Sequence, residues 1–363
     1  VDAILERLAQ LQNHNARRLI IEGNSVSKIR TAVAVISSVL LLGCAPSQQE
    51  APPAPAADAA PRAAGMPLAP IRVSGAYWIE LSPVLVAANS FYAERLSVGE
   101  GGITRITSGD ADLATNAETQ LLRESLTNPD LRIIMTVTES FYRLVARRSA
   151  GIETLADLKG KRVMLPRNTS ANYYLVAMLR TVGLTEEDVE LVNLPPAQGD
   201  QTGMDQMSDA LARGDVDAIS IWEPEPEDAI HRLGGDAVVF QDRSVYREVF
   251  NLHARATDLA DPSKRRSIVA FVRAVADASA ALQRGPEAHW PHVSSVTGFT
   301  TEEISWGWPE MQFPVRIVPD MLDVLEVEEA WVAKERSRAP RSREELAQLI
   351  DASVVEEALA TLQ

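Results

Sequence analysis

The sequence predicts an α/β chain of two similar lobes with a cleft between them and a helical C-terminus. Three observations carry this. Ser108-Gly109-Asp110-Ala111-Asp112-Leu113-Ala114 and Arg213-Gly214-Asp215-Val216-Asp217-Ala218-Ile219 repeat one pattern: a helix ending at Gly, an Asp-x-Asp turn, then a short apolar strand. Gly109 and Gly214 lie 105 positions apart, the spacing of half a protein and not of a solenoid unit. Short strand and helix signals alternate from Ile71 onward, which calls for a mostly parallel sheet in each lobe. Roughly 290 residues remain from there, enough for two lobes of ordinary size.

Ahead of that body, residues 1–25 do not read as an ordinary leader, and Val26 offers an alternative start, so they are expected to be a non-native or disordered extension. Lys28 and Arg30 precede the apolar run Thr31 to Leu42, which ends in Leu41-Leu42-Gly43-Cys44. Positive charge, about a dozen apolar residues and a small residue before the cut make 26–43 an export signal, too short for a lasting bilayer span. Cys44 is the chain's single cysteine, so no disulfide within the chain is possible. Positions 45–70 hold 10 Ala and 7 Pro in 26 residues. Such a segment cannot bury a core and reads as an extended tether of up to roughly 80 Å.

In the body, Ile71 to Trp78 reads as a strand, Pro83 to Ala93 as an amphipathic helix, and Ala111 to Asn116 and Leu131 to Val137 as strands. Phe141 to Ala146 and Arg162 to Leu165 read as strands, Asn172 to Thr181 as a helix stopped at Gly183, and Val189 to Leu194 as a strand. Asp205 to Arg213 is a helix and Asp217 to Trp222 a strand. From Asp261 and Pro262, a good N-cap and first-turn pair, a helix runs to Gly285 with Ile268, Val272, Val275 and Leu282 on one face. Helical, acidic sequence closes the chain.

The chain carries a formal charge of −15. Residues 1–43 hold five basic and three acidic side chains, so residues 44–363 carry −17. A surface this acidic is repelled by phosphate backbones, and no nucleic-acid partner is expected. An anionic ligand requires local positive potential in its pocket.

The run Asp157-Leu158-Lys159-Gly160-Lys161-Arg162-Val163, Pro166-Arg167-Asn168-Thr169-Ser170-Ala171, Gly183-Leu184, and Gly214-Asp215-Val216-Asp217-Ala218 with Trp222-Glu223-Pro224 resembles the periplasmic solute-binding proteins of ABC importers. The branch is that of the nitrate, sulfonate and taurine receptors and the pyrimidine-precursor proteins of thiamine metabolism. The likeness spans roughly Ile71 to Lys334, and Leu41-Leu42-Gly43-Cys44 resembles the bacterial lipobox. It implies a type II periplasmic-binding-protein (Venus-flytrap) clamp: lobe 1 from 71–145 and 245–335, lobe 2 from 146–244, and a helical tail at 336–363. It further implies a lipid anchor at Cys44 heading a tether over 44–70, a monomer, and ABC permease and ATPase partners. Ala45 resembles the signal for outer-membrane sorting in Gram-negative bacteria. One departure stands out: Ser97 to Gly102 must supply both the second strand and the glycine-rich loop of lobe 1, leaving Ile103 to Ser108 a helix of barely two turns.

In open α/β sheets ligands sit at the carboxyl ends of strands and the amino ends of helices. Arg167, Asn168, Thr169 and Ser170 follow a strand and open a helix, where N–H groups, hydroxyls and the helix dipole suit an anion. The competing role is a plain helix cap with Arg167 in solvent. Trp222 and Glu223 end the strand of the second repeat and Asn116 that of the first, so both reach the cleft mouth; hinge packing is the alternative for Trp222. Tyr77 and Trp78 after the first strand, Thr138 near the first crossover and Asn251 near the return complete the candidate ligand set, against core packing or hinge hydrogen bonding. No cofactor, metal or catalytic centre is expected. His289 and His292 are separated by Trp290 and Pro291, which break the helix a shared metal would need. The acidic run Glu223 to Asp228 reads as solvated surface. The function expected is that of a receptor for a small organic anion of sulfonate or carboxylate type. A neutral pyrimidine ligand, or a clamp-fold sensor or enzyme, is the alternative.

Overall fold

The computed structural model describes residues 67–94, 96–196 and 202–360. The export signal, Cys44 and all but the end of the tether lie outside them. The chain divides into two units, Val1–Pro67 and Leu68–Gln363, and the second is the folded body.

That body holds two sheets. The first takes β1 (Val73–Gly75), β2 (Val98–Glu100), β3 (Leu113–Ala117), β4 (Leu131–Ser140), β10 (Glu248–Arg255) and β11 (Met311–Gln312) in the order β11-β4-β10-β3-β1-β2. The second takes β5 (Arg143–Arg147), β6 (Arg162–Met164), β7 (Glu190–Val192), β8 (Ala218–Ile221) and β9 (Ala237–Phe240) in the order β7-β6-β8-β5-β9. In each, three strands run parallel, and a strand adjoining a crossover, β10 or β5, pairs antiparallel beside them. The chain passes to the second sheet between Ser140 and Arg143 and returns between Phe240 and Glu248. Helices interleave the strands, so this is the two-lobed α/β architecture expected.

The repeated motif has one structural meaning in both lobes. Gly109 and Gly214 adopt φ 81° and 82°, a left-handed turn that glycine takes without Cβ strain. The second Asp of each motif then receives the arginine opening the neighbouring strand. Asp112 accepts from the backbone N–H of Arg72 at 2.9 Å and from its Nε at 3.2 Å. Asp217 accepts from the backbone N–H of Arg162 at 2.9 Å and from its Nε at 3.2 Å. Each guanidinium also caps the glycine carbonyl, Arg72 at 2.8 Å and Arg162 at 2.9 Å. Burial pushes the Asp112 carboxyl up, but Arg72 and Lys264 more than offset it and hold it at about 2. The hydrogen bond from Arg162 lowers Asp217 likewise.

The helix Pro262–Arg284 is the longest described. Asp261 caps it by accepting from Ser263 and Lys264 N–H, and Ile268, Phe271, Val272, Val275 and Leu282 are fully buried beneath it. Burying each such side chain contributes about 1.5–3 kcal/mol. The end of the chain packs on the first lobe: Ile350 bridges Ile133 of β4, with Ile133 N–H donating to the Leu349 carbonyl at 2.7 Å.

Local boundaries differ from the sequence expectation for physical reasons. The strand expected over Ile71 to Trp78 shrinks to β1, because the chain turns at Ala76 into a 3-10 turn at Ile79–Leu81. The helix expected over Pro83 to Ala93 starts at Ser82, with Pro83 in its first turn, and widens at Ala87–Phe91 into a π turn. Ser97 to Gly102 does supply a three-residue β2 and the following loop, and the next helix is only Thr104–Thr107. Gly102 leaves room for the Asn116 side chain, since a Cβ there would lie 2.4 Å from Nδ2 of Asn116 and force it to shift.

Candidate functional site

The strand ends of the two sheets face one another. Trp78, beyond β1, and Trp222, at the end of β8, meet edge to face with ring centroids 5.3 Å apart. Phe299 lies 6.0 Å from Trp78, and Tyr142, in the first crossover, 6.2 Å from Trp222. Three further contacts span the lobes. His231 packs on Trp306 at 4.6 Å, Gln120 donates to the Asn168 carbonyl at 2.9 Å, and Tyr173 lies 5.3 Å from Trp331. Gly307 lets the helix Thr301–Gly307 approach the second lobe, for a Cβ would stand 2.8 Å from Cβ of Glu223 and 3.1 Å from Cδ1 of Ile79.

Behind the aromatic rings runs a string of buried carboxyl groups: Glu223, Glu80, Glu248, Glu118 and Glu328, each at most 4% exposed. Glu223 is paired, accepting from Arg143 Nε at 2.7 Å, while Glu227 binds the same guanidinium at 2.5 Å. Burial still pushes Glu223 up to about 7. Glu80 accepts from Ser140 Oγ at 3.2 Å, and burial pushes it up to about 7 as well. Glu248 accepts from Ser170 Oγ at 3.3 Å, and the same hydroxyl is hydrogen-bonded to the Tyr142 hydroxyl at 2.9 Å; burial, with the fields of Glu80 and Glu118, raises Glu248 well above the carboxylate range. Glu118 accepts from Tyr246 Oη at 2.9 Å and Val249 N–H at 3.0 Å; burial raises its carboxyl, and burial with the field of Glu118 raises that of Glu328 well above the carboxylate range. The string ends at a hollow of about 220 Å³ lined by Tyr173, Tyr246, Arg247 and Glu328 among others.

Of the candidate residues, Trp78, Trp222, Glu223, Asn168 and Ser170 come together along this interface. Tyr77 stands beside it, its hydroxyl donating to the Val98 carbonyl at 2.8 Å. Asn116 lies on β3 opposite Asn251, its Oδ1 accepting from Ala117 N–H at 2.9 Å. Thr138 and Asn251 are fully buried and spent on internal bonds: Thr138 Oγ1 donates to the Glu80 carbonyl at 2.7 Å, and Asn251 Oδ1 accepts from Thr136 at 2.9 Å. Arg167 is exposed and donates to the Leu191 carbonyl at 2.9 Å. Thr169 makes no capping bond, its Oγ1 donating instead to the Pro166 carbonyl at 2.7 Å. Asn168 holds a positive φ of 61°.

Two sequence expectations are corrected. The run Glu223 to Asp228 is not wholly solvated: Glu223 and Glu225 are buried, 0% and 6% exposed, because the turn after β8 folds into the lobe interface. Pro291 does not break a helix but starts one, Trp290–Thr297, and His292 Nε2 lies 3.3 Å from the Leu85 carbonyl. Among the described residues no His, Cys, Asp or Glu group is placed to hold a metal, and no helix is long and apolar enough to cross a membrane. Glu80, Glu118, Glu248, Glu328 and Tyr142 were missed as site residues. Lone glutamates in strand-rich sequence read as surface; the proximity of Glu80 to Trp78, two residues apart, was the one available signal.

Two α/β lobes, crossed twice by the chain and meeting at their strand ends, define a periplasmic-binding-protein clamp. The chain belongs to the NMT1/THI5-like family, whose model matches residues 98–289, more than half of its length. The taurine-binding periplasmic protein of Escherichia coli K12 is 26% identical over 185 residues, 47% of this chain and 53% of that one. A putative aliphatic sulfonates-binding protein of the same strain is 31% identical over 118 residues, 32% of this chain and 34% of that one. A putative thiamine biosynthesis protein of Haemophilus influenzae is 30% identical over 109 residues, 30% of this chain and 32% of that one. The chain thus spans about half or less of the length of these curated relatives. Among solved structures, the aliphatic sulphonate binding protein SsuA from E. coli superposes with a TM-score of 0.64 at 17% identity, covering 79% of this chain and 98% of that one. The desulfurization enzyme DSZB superposes at 0.58, also at 17% identity, covering 81% of this chain and all of that one. These structural likenesses establish the fold.

Proposed function

We propose that this protein is the solute-binding receptor of an ABC-type importer, capturing a small organic anion of sulfonate or carboxylate type between its lobes and presenting it to the permease and ATPase subunits. The observation that carries this is the apposition of the two lobes at their strand ends, Trp78 against Trp222. Contacts made to both lobes at once are what shift such a clamp toward its closed state. The names of two curated relatives, taurine-binding and sulfonates-binding, support the solute class. The ligand surface we assign comprises Trp78, Trp222, Asn168 and Ser170, with Tyr77 and Asn116 at its edge and Arg167 at the rim of the helix that Ser170 opens. The anion end of the solute lies at that helix start, where backbone dipoles favour negative charge.

The chain works as a binding protein without catalysis, tethered in the periplasm through a lipid on Cys44 and sorted to the outer membrane in a Gram-negative cell, and it acts as a monomer. A thermal-shift screen of the purified protein against sulfonates, carboxylates, nitrate and pyrimidines tests the reading. A ligand at 100 times its dissociation constant stabilises the native state by about 2.7 kcal/mol. A sulfonate hit weakened by substitution at Ser170 or Trp222 supports an anion receptor. A pyrimidine hit alone moves the assignment to vitamin-precursor uptake, and the DSZB likeness makes turnover of a bound sulfur compound the outcome that overturns the receptor reading.

A further inference from the structure

Resting on the reading of the molecule as a clamp, we propose that it takes up protons as it closes: Glu80 of the first lobe and Glu223 of the second are buried at the same stretch of the lobe interface, and their protonation is what lets the lobes stay together. Solute capture is then coupled to pH.

Three contacts give the geometry. Trp78 and Trp222 meet at 5.3 Å, which brings the turn that carries Glu80 against the turn that carries Glu223. Gly307 touches both turns: a Cβ there would stand 2.8 Å from Cβ of Glu223 and 3.1 Å from Cδ1 of Ile79, the residue before Glu80. Glu80 and Glu223 are 2% and 0% exposed, and in each of them Oε2 is buried without a hydrogen-bond partner. A neutral acid tolerates such an oxygen at modest cost, whereas a carboxylate loses its hydration with nothing in return.

The surrounding groups leave the charge of the ionised pair under-compensated. Glu80 accepts from Ser140 Oγ at 3.2 Å, forms no ion pair among the described residues, and shares its surroundings with Glu223 and Glu248. Glu223 has Arg143 at 2.7 Å, but Glu227 takes the same guanidinium at 2.5 Å, and His231 stands 3.6 Å from Glu227. Glu225, also buried, follows two residues on, and Glu310 faces Glu223 while bound to Arg243 at 2.8 Å. Glu248 accepts from Ser170 of the second lobe at 3.3 Å and is the third carboxyl at the interface. Burial, with the field of Glu223, pushes Glu80 up to about 7, and burial pushes Glu223 up to about 7 against the pull of Arg143. Parting the lobes admits water and returns both toward the ordinary carboxylate value. The closed state therefore binds the extra protons, and closure weakens as pH rises through 7.

The test has two readouts on the purified protein. One is the radius of gyration from small-angle scattering without solute, between about pH 5.5 and 8.5. The other is titration calorimetry with 1-propanesulfonate and with 2-aminoethanesulfonate in phosphate and in Tris, whose different heats of ionisation count the protons taken up on binding. Both are run on the parent, the Glu80→Gln/Glu223→Gln double variant and Glu248→Gln, with circular dichroism to confirm folding. The parent is expected to expand as pH rises through 7, to take up about one proton or more on binding near pH 6, and to bind about tenfold more weakly near pH 8.5. The double variant should stay compact and bind without proton uptake, and Glu248→Gln should behave as the parent does. A radius that ignores pH, with heats equal in the two buffers, overturns the proton coupling and leaves the receptor standing. Coupling that survives the double variant, or that Glu248→Gln alone removes, overturns the assignment to Glu80 and Glu223. A parent that expands with pH while binding neither sulfonate supports the coupling and removes the sulfonate reading. A fixed radius with no binding overturns both.

Discussion

Trp78 and Trp222 come from opposite sheets and meet edge to face at 5.3 Å, so a single ring pair reports whether the lobes are together. Such a pair contributes about 0.5–1.5 kcal/mol beyond its buried area. Trp222→Ala is expected to shift the population toward the open clamp, raising the radius of gyration in small-angle scattering and weakening solute binding about fivefold to tenfold. An unchanged scattering profile would show that the pair does not hold the lobes.

Gly307 gives a cleaner probe of closure. Its backbone is helical, with φ −77°, so alanine fits its conformation, but the added methyl meets Glu223 of the other lobe at 2.8 Å. Gly307→Ala should therefore wedge the lobes apart. Solute affinity is expected to fall at least tenfold while the urea midpoint of unfolding changes little. A midpoint lowered as strongly as the affinity would place the damage within a lobe.

The buried acids make stability depend on pH. Glu80 keeps its proton to about pH 7 in the fold, against an ordinary value of 4.5. Between those values the native state binds the extra proton, so its contribution is complete below pH 4.5 and is lost as pH rises through 7. Glu80→Gln is expected to flatten this decline, recovering on the order of 3 kcal/mol at pH 8 relative to pH 4.5. His253, fully buried and held at about 4, acts in the opposite sense as pH falls below 6.5, so the comparison is variant against parent at each pH. Parallel pH profiles for the two would refute a neutral Glu80.

The two repeated aspartates predict matched losses. Asp112→Asn and Asp217→Asn each weaken a charge-assisted set of bonds to an arginine backbone and guanidinium. Each is expected to destabilise the protein by about 2–3 kcal/mol, read from denaturant midpoints. Asp112, which also binds Lys264 at 2.9 Å, should lose more than Asp217. A negligible effect at both would mean the repeat is conformational and rests on its glycines alone.

The repeat was legible because Gly and Asp at fixed offsets describe a turn, and the turn is what the fold reuses. Asp261-Pro262 and Gly285 marked the ends of the long helix for the same reason: capping is local chemistry. The partners Arg72 and Arg162 were not legible, since they lie 40 and 55 positions from their aspartates and only the parallel pairing of β1 with β3 and β6 with β8 unites them. The site divides likewise. Trp78 and Trp222 follow from strand ends, whereas Glu80, Glu118, Glu248 and Glu328 become neighbours only when segments far apart in the chain assemble into the first lobe, and a glutamate gives no sign in sequence that it will be buried. Thr138 and Asn251 show the converse, polar residues near a crossover that the backbone itself consumes.

The two sheets are drawn from the chain in different ways. The second is complete within Arg143–Phe240, whereas the first waits for β10, β11 and the bridge at Ile350. As the polypeptide emerges from its N-terminal end, the inner lobe has all its strands while the outer one is still missing two and its closing bridge. The half-built outer sheet, with β4 awaiting both neighbours, is then the species that a chaperone would have to shield.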